Sequence, residues 1–196
     1  MNKYVIVSCS SRENNKSSKV AATINGLIYE TDNEAQIKII DLEKIKLQEW
    51  SNACWGKDIP CDYWRQSSQI LAESEGIIFV VPEWHGMIPP SLCNLLILAE
   101  RNELAHKPAL IISISSGSGG AYPIAQLKGF SSKNNRLCYI PDHVILRHIN
   151  SKDLAQQNDD RERLLYSLNV LKAYIPALAS VRNSGVLDFE NWPYGM

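Results

Sequence analysis

The sequence predicts an α/β fold, a doubly wound five-stranded parallel sheet with helices on both faces. Three observations point there. Short β-branched runs recur along the chain, stretches with helical spacing lie between them, and the two kinds alternate. A length of 196 residues suits one such unit, so residues 1–196 are read as a single domain.

The first strand is Tyr4 to Val7, a β-branched run bounded by polar residues, as expected of a strand buried on both faces. Val20, Ile24, Leu27 and Ile28 then recur at helical spacing. Ala35 to Ile40 supplies the second strand. Lys44 to Cys61 carries Trp50, Trp55, Gly56 and Pro60 without a period and reads as a long loop, a length that is often functional. Ile77 to Val81 is the third strand, followed by a helix with Leu92, Leu95, Leu96 and Ala99 on its apolar stripe, within Ser91 to Glu100. Leu110 to Ile114 and Arg136 to Ile140 complete the strands. The last helix carries Leu164, Leu168, Leu171, Ile175 and Leu178, and Pro176 should kink or interrupt it. Beyond Gly185, Phe189, Trp192 and Tyr194 must be covered, by the chain's own core first and by a partner subunit second.

Composition removes several function classes. Twenty Lys plus Arg against 21 Asp plus Glu leave a formal charge of −1, so no global field invites nucleic acid or an anionic membrane. The apolar runs fall short of the roughly 20 residues of a membrane span, and Met-Asn-Lys-Tyr lacks the apolar core of a signal peptide. The expectation is a cytoplasmic protein. Cys9, Cys54, Cys61, Cys93 and Cys138 form no CxxC and have no histidine at ligand spacing, so no metal site is expected and the thiols read as free and at least partly buried.

In a doubly wound sheet ligands bind beyond the carboxyl ends of the strands, so the loops there carry the chemistry. After the first strand, Ser8-Cys9-Ser10-Ser11-Arg12-Glu13-Asn14-Asn15-Lys16-Ser17-Ser18 offers hydroxyls, amides and an arginine at a helix N-terminus, as a phosphate requires. A plain N-cap at Ser17 or Ser18 accounts for it equally well. It is not a nucleotide P-loop, because Lys16-Ser17 lacks the glycines, nor a phosphatase loop, because Arg12 lies only three residues past Cys9.

The second loop, Pro82-Glu83-Trp84-His85-Gly86-Met87-Ile88-Pro89-Pro90-Ser91, follows the third strand. Pro90 and Ser91 suit the start of a helix. Trp84 and the loop backbone suit a flat heterocycle, while His85 is either a solvated loop histidine or a group that poises a proton. The third loop, Ser115-Ser116-Gly117-Ser118-Gly119-Gly120-Ala121-Tyr122, has three glycines that permit close approach to a ligand or simply a flexible turn. Loops after the first, third and fourth strands converge on one edge if the sheet order is 2-1-3-4-5, the flavodoxin-like order with flavin mononucleotide (FMN) at its switch point.

Ser10-x-Arg12 with Ser17-Ser18, then Pro82-Glu83-Trp84-His85-Gly86 followed by Leu92-x-Asn94, then Ser115-x-Gly117 with Gly119-Gly120-Ala121, resembles the NADPH-dependent FMN reductase family over about Lys3 to Pro141. Trp84 stands where that family usually has tyrosine, and the spacing from Arg12 to Ser17 is longer than its commonest pattern. The resemblance implies that Ser10, Arg12, Ser17 and Ser18 hold the FMN phosphate. It places Pro82, Glu83, Trp84, His85 and Gly86 along the isoalloxazine, with Ser115, Ser116, Gly117 and Gly119 closing over the other side. It implies an oxidoreductase that takes electrons from NADPH or NADH and passes them through FMN to a small acceptor such as a flavin, quinone, azo compound or chromate. No side chain is assigned as acid or base. A homodimer or dimer-based tetramer is expected. The rivals are a flavodoxin-type carrier, against which the near-neutral charge argues, and a family member that has lost flavin. A receiver-type signalling domain is disfavoured by Ser8 and Cys9 where its acidic pair would stand.

Overall fold

The computed structural model describes residues 1–55 and 62–194. Its elements are β1 (Lys3–Ser8), α1 (Lys16–Thr31), β2 (Gln36–Asp41), α2 (Asp62–Glu73), β3 (Gly76–Pro82), α3 (Pro90–Leu98), a short α4 (Arg101–Leu104), β4 (Pro108–Ile114), α5 (Ala121–Phe130), β5 (Cys138–Leu146) and α6 (Asp159–Arg182). The strands form one sheet in the order β2-β1-β3-β4-β5, and every neighbouring pair is parallel.

The inner strands β1, β3 and β4 are almost continuously buried and apolar because each face has its own core, whereas the edge strands β2 and β5 carry polar and exposed residues. Tyr4, Ile6, Ile78, Val80, Leu110 and Ile112 pack under α1 and α6, together with Ile24 and Leu168. The alternate residues Val5, Val7, Ile77, Phe79, Ala109 and Ile111 pack on the opposite face against α2, α3 and α5, through Trp64, Leu71, Leu92, Leu95 and Leu127. Side chains alternate between faces along a strand, and each fully buried one contributes about 1.5–3 kcal/mol. Because α1 leaves β1 on one face and α3 leaves the adjacent β3 on the other, a crevice opens between the carboxyl ends of these two strands.

Several sequence expectations are corrected. The fifth strand, expected at Arg136 to Ile140, runs instead over Cys138–Leu146. Proline at 141 is tolerated because β5 is an edge strand, and the register jump from Ala109↔Tyr139 to Ile111↔His143 absorbs two extra β5 residues around it. Arg136 lies before the strand with φ 55°. The apolar helix expected to reach Glu100 ends at Leu98, since Ala99 is extended and Glu100 starts α4 by donating its amide to Glu103 Oε2 at 2.9 Å.

Pro176 does not interrupt α6, which continues to Arg182; the buried stripe nevertheless stops at Ile175, and Leu178 is only half-buried. By length and composition α6 is apolar enough to cross a membrane, which the separate apolar runs did not suggest. Here its stripe of Leu164, Ser167, Leu168, Leu171 and Ile175 packs over β3, β4, β5 and α1. The spacing did not delimit α2 or α5. Of the long loop, Gly56 to Cys61 lies outside the described residues; Asn94 on α3 clamps the part before it, donating to Gln48 O at 2.9 Å and accepting from Trp50 N at 2.8 Å. Cys9, Cys54, Cys93 and Cys138 are free thiols.

The tail packs less than expected. Phe189 lies between the guanidiniums of Arg101 and Arg136, whose Cζ atoms are 5.4 and 4.8 Å from its ring centroid. Arg136 Nη2 also donates to the carbonyls of Trp192 and Tyr194, yet those two side chains remain 65% and 59% exposed.

At the amino end of the sheet, buried Asp32 accepts from Asn2 Nδ2 at 2.6 Å and from the Tyr4 hydroxyl at 3.1 Å, with Lys172 Nζ at 3.6 Å. Burial pushes its carboxyl upward, but the two hydrogen bonds and the ammonium outweigh this and hold it below the ordinary aspartate value of 3.8. A carboxyl whose folded pKa is depressed contributes stability above its unfolded pKa and loses it as pH falls through the folded value. Asp32→Asn should therefore cost about 1–3 kcal/mol at pH 7. Urea unfolding at pH 7 and at pH 2.5 checks this: the difference from wild type should shrink at the lower pH, and a constant difference would mean that the charge of Asp32 is not what matters.

Candidate functional site

The first loop is fastened before it turns. Cys9 donates its amide to Val80 O at 3.0 Å and accepts the Ser91 hydroxyl at 2.8 Å, so it is held between β3 and α3. Burial pushes its thiol well above the ordinary cysteine value, which makes Cys9 a packing residue and not a thiolate nucleophile. Ser10 is buried, and its Oγ accepts the Arg12 amide at 3.3 Å.

The helix cap is Asn15, a correction to the expected Ser17 or Ser18. Its Oδ1 accepts from the amide and hydroxyl of Ser18 at 2.8 and 3.1 Å. Ser17 and Ser18 thus lie inside the first turn of α1. Asn15 was legible as a preferred cap before the Lys16-Ser17-Ser18 run, but the serines drew the assignment. Ser18 Oγ lies 3.2 Å from Ser8 Oγ, whereas the Ser17 hydroxyl is buried with no hydrogen-bond partner among the described residues. No acidic residue sits in this first turn, so nothing on the helix itself offsets the positive end of its dipole.

The second loop continues the sheet and then turns tightly. Glu83 donates its amide to Ile114 O at 3.0 Å. Trp84 and Met87 exchange amide-to-carbonyl bonds of 2.9 and 2.8 Å around His85 at φ 50° and Gly86 at φ 76°. Two central residues with positive φ define a type I′ turn, in which glycine is at ease and histidine is among the side chains that tolerate the left-handed region. His85 is exposed at the tip. Across the crevice, Arg12 places its Cζ 5.9 Å from the Trp84 ring centroid, so the first two loops meet through a cation over an aromatic face.

The third loop is built onto the second. Glu83 accepts the Gly120 amide at the N-terminus of α5, where its negative charge suits the helix dipole. Its side chain is therefore a strut between loops. A Cβ at Gly119 would lie 2.6 Å from Glu83 Oε2, and one at Gly120, where φ is 106°, would collide with Ile145 Cγ2. Gly117 is different, since a Cβ there meets nothing within 4 Å. Tyr122 lies near Gly86, 3.8 Å from where a Cβ would stand. From beyond β5, Arg147 Nε donates to Ser118 O and Gly119 O at 2.7 and 3.0 Å, and His148 N donates to Gly117 O at 3.0 Å. Neither Arg147 nor His148 stood out in the sequence.

The structure therefore brings together Arg12 and Trp84, Glu83 with Gly119 and Gly120, and Gly86 with Tyr122. It gives Ser10, Ser17 and Ser18 to the base of the first loop, leaves Ser116 exposed, and holds Ser115 by Leu146 O at 2.9 Å. No hydrogen bond among the described residues joins the first loop directly to the third.

The three glycines of the third loop should separate by experiment. Gly120→Ala combines a left-handed φ with a collision, and should cost about 1–3 kcal/mol, roughly 2–10 °C of melting temperature. Gly119→Ala should cost less, because the Glu83 carboxylate can shift, and Gly117→Ala should leave melting within about 1 °C of wild type. Equal losses at all three positions would contradict the different surroundings described for them.

The match to known proteins bears on what such loops hold. Residues 2–151 match the family model described as NADPH-dependent FMN reductase. A curated relative, an NADPH azoreductase from Bacillus sp. (strain OY1-2), is 23% identical over 114 residues, which is 58% of this chain and 64% of the relative. This chain thus matches less than two thirds of that relative's length. Among solved structures, an apo NADH:FMN oxidoreductase (EMOB) superposes with a TM-score of 0.70 at 16% identity, covering 89% of this chain and 90% of the other. The flavoenzyme NAD(P)H:(acceptor) oxidoreductase FerB from Paracoccus denitrificans gives 0.70 at 16% identity, covering 92% and 98%. An azoreductase from Bacillus anthracis str. Sterne gives 0.54 at 15%, covering 91% and 99%. These likenesses show the shared flavodoxin-like fold, and the family match spans all five strands of the sheet and all three loops: the chain belongs to the NADPH-dependent FMN reductase family.

Proposed function

We propose that the chain binds FMN in the crevice between the carboxyl ends of β1 and β3 and passes electrons from NADPH or NADH to a small acceptor. The observation that carries this reading is the convergence of three loops at the one place where the winding of the sheet reverses, with Arg12 facing Trp84 and Glu83 seated on Gly120. The family match supports the same cofactor.

The residues present fit the group. The buried Ser17 hydroxyl, unpartnered among the described residues, is a donor awaiting an acceptor, and the first turn of α1 carries no acidic residue, both of which suit a phosphate dianion. Ser10, Arg12, Ser17 and Ser18 would hold it. Pro82, Glu83, Trp84, His85 and Gly86 would border one side of the ring, while Ser115, Ser116, Gly117 and Gly119 would border the other, where Gly117 leaves open space. Bound FMN supplies the chemistry, accepting hydride from a nicotinamide and delivering two electrons to a flavin, quinone, azo compound or chromate. Loop amides orient the ring and favour negative charge on it.

The free thiols of Cys9, Cys54, Cys93 and Cys138 suit a reducing cytoplasm. A homodimer or a dimer-based tetramer would cover the exposed Ile97 and Met87 on and beside α3.

Anaerobic mixing of the FMN-loaded protein with NADPH or NADH tests the activity: rapid loss of flavin absorbance is expected, and its absence with both would leave an electron carrier. Removing Arg12 separates phosphate from ring. A hydrogen bond to a charged partner contributes about 1.5–3 kcal/mol, so Arg12→Ala should weaken FMN about ten- to a hundredfold and riboflavin little. Equal losses of both ligands in a titration would remove the first loop from the phosphate. Trp84→Phe should abolish a substantial part of the tryptophan fluorescence quenching caused by FMN; undiminished quenching would place the ring elsewhere.

A further inference from the structure

The third loop has a polarity that its own sequence does not determine. Behind it runs the segment Arg147–Ile149, directly after β5. Ile149 N donates to Ser115 O at 3.1 Å, His148 N donates to Gly117 O at 3.0 Å, and the single Nε–H of Arg147 is shared between Ser118 O and Gly119 O at 2.7 and 3.0 Å. In a trans peptide the N–H points opposite to the carbonyl of the same unit. Anchoring the carbonyls of Ser115, Gly117 and Ser118 on this segment therefore aims the amides of Ser116, Ser118 and Gly119 away from it. Those three amides donate to nothing among the described residues. The next amide, that of Gly120, is spent on Glu83. The loop thus arrives with the carbonyls of Ser115, Gly117, Ser118 and Gly119 occupied and three amide donors unspent, a backbone arrangement that receives anions and acceptor-rich edges.

We infer that Arg147 is a positioning residue for this site: by holding two loop carbonyls from behind, it presents the loop's amides to an acceptor-rich edge of the ligand. The identity of that ligand rests on the FMN reading above; the hold of Arg147 on the loop does not. Arg147 acts through the hydrogen bond of its Nε–H and not through its charge, which stands exposed to solvent. Chemistry separates the two roles. Glutamine carries an amide nitrogen at the same place along the side chain as Nε, without charge. Lysine keeps the charge but puts a methylene there. Methionine has neither.

The test compares R147Q, R147M and R147K by hydrogen exchange at residues 115–120 without FMN, and by titration with FMN and riboflavin. R147M should exchange these amides faster and weaken FMN and riboflavin alike, by about five- to tenfold. R147Q should stay near wild type in both measurements, with R147K closer to R147M. Equal weakening of the two ligands sets this role apart from a phosphate contact, which would spare riboflavin. R147K near wild type with R147Q impaired would overturn the inference in favour of charge, and unchanged exchange in R147M would overturn it outright. If R147M fails to fold, R147Q against R147K decides. If the wild type binds neither flavin, the FMN reading falls and so does the ligand half of this inference, while the exchange result still decides whether Arg147 holds the loop.

Discussion

Two parallel strands side by side, β1 and β3, send their chains to opposite faces of the sheet, and most of the molecule follows from that divergence. Right-handed crossovers require it once β2 lies on one side of β1 and β3 on the other. The chain cannot fill the gap with a further crossover, so a crevice persists above a core that is fully packed on both faces. Its walls are loops, and its floor is the polar end of β1, where Ser8, Cys9 and Ser10 are buried and hydrogen-bonded to what surrounds them.

Loops at such a place have to be stiff without a core of their own, and here each is stiffened by a different device. Asn15 caps α1 and shapes the first loop. A type I′ turn at His85-Gly86 folds the second back on itself. The third depends on neighbours, with Glu83 below and Arg147 behind. Glu83 matters most to this coupling, because one residue contributes its amide to the β4 ladder and its carboxylate to the start of α5. The consequence is a site in which the second and third loops are mechanically linked, while the first loop meets the second through Arg12 over Trp84 and through the Ser91 hydroxyl on the Cys9 carbonyl.

Much of this was legible in the sequence, for physical reasons that can be located. The β-branched runs of β1, β3 and β4 are buried on both faces and leave no other element type open to them. The glycines of the third loop marked tight backbone, and Gly119 and Gly120 do lie where a Cβ would meet Glu83 and Ile145. What was not legible depends on partners distant in the chain. Glu83 reads as a loop carboxylate until Gly120, 37 residues away, comes to rest on it. Arg147 lies 29 residues from Ser118, just past a strand expected to end at Ile140 that in fact runs through Pro141 to Leu146. At the tail, three aromatic residues predicted burial, but only Phe189 found cationic partners; backbone carbonyls secure the chain around the others without covering their rings.

That tail packs against Arg101 and Arg136, which precede β4 and β5 at the amino end of the sheet, opposite the loops. The molecule thus has two distinct ends, and flavin is proposed at one of them alone. An amide NMR titration of the 15N-labelled protein with FMN tests this most directly. Saturable shifts are expected only in the loops after β1, β3 and β4 and in the Arg147–Ile149 segment, with Asp32, Arg101 and Phe189 unmoved. Shifts centred on the tail and Arg136, or no saturable shift at all, would contradict that placement.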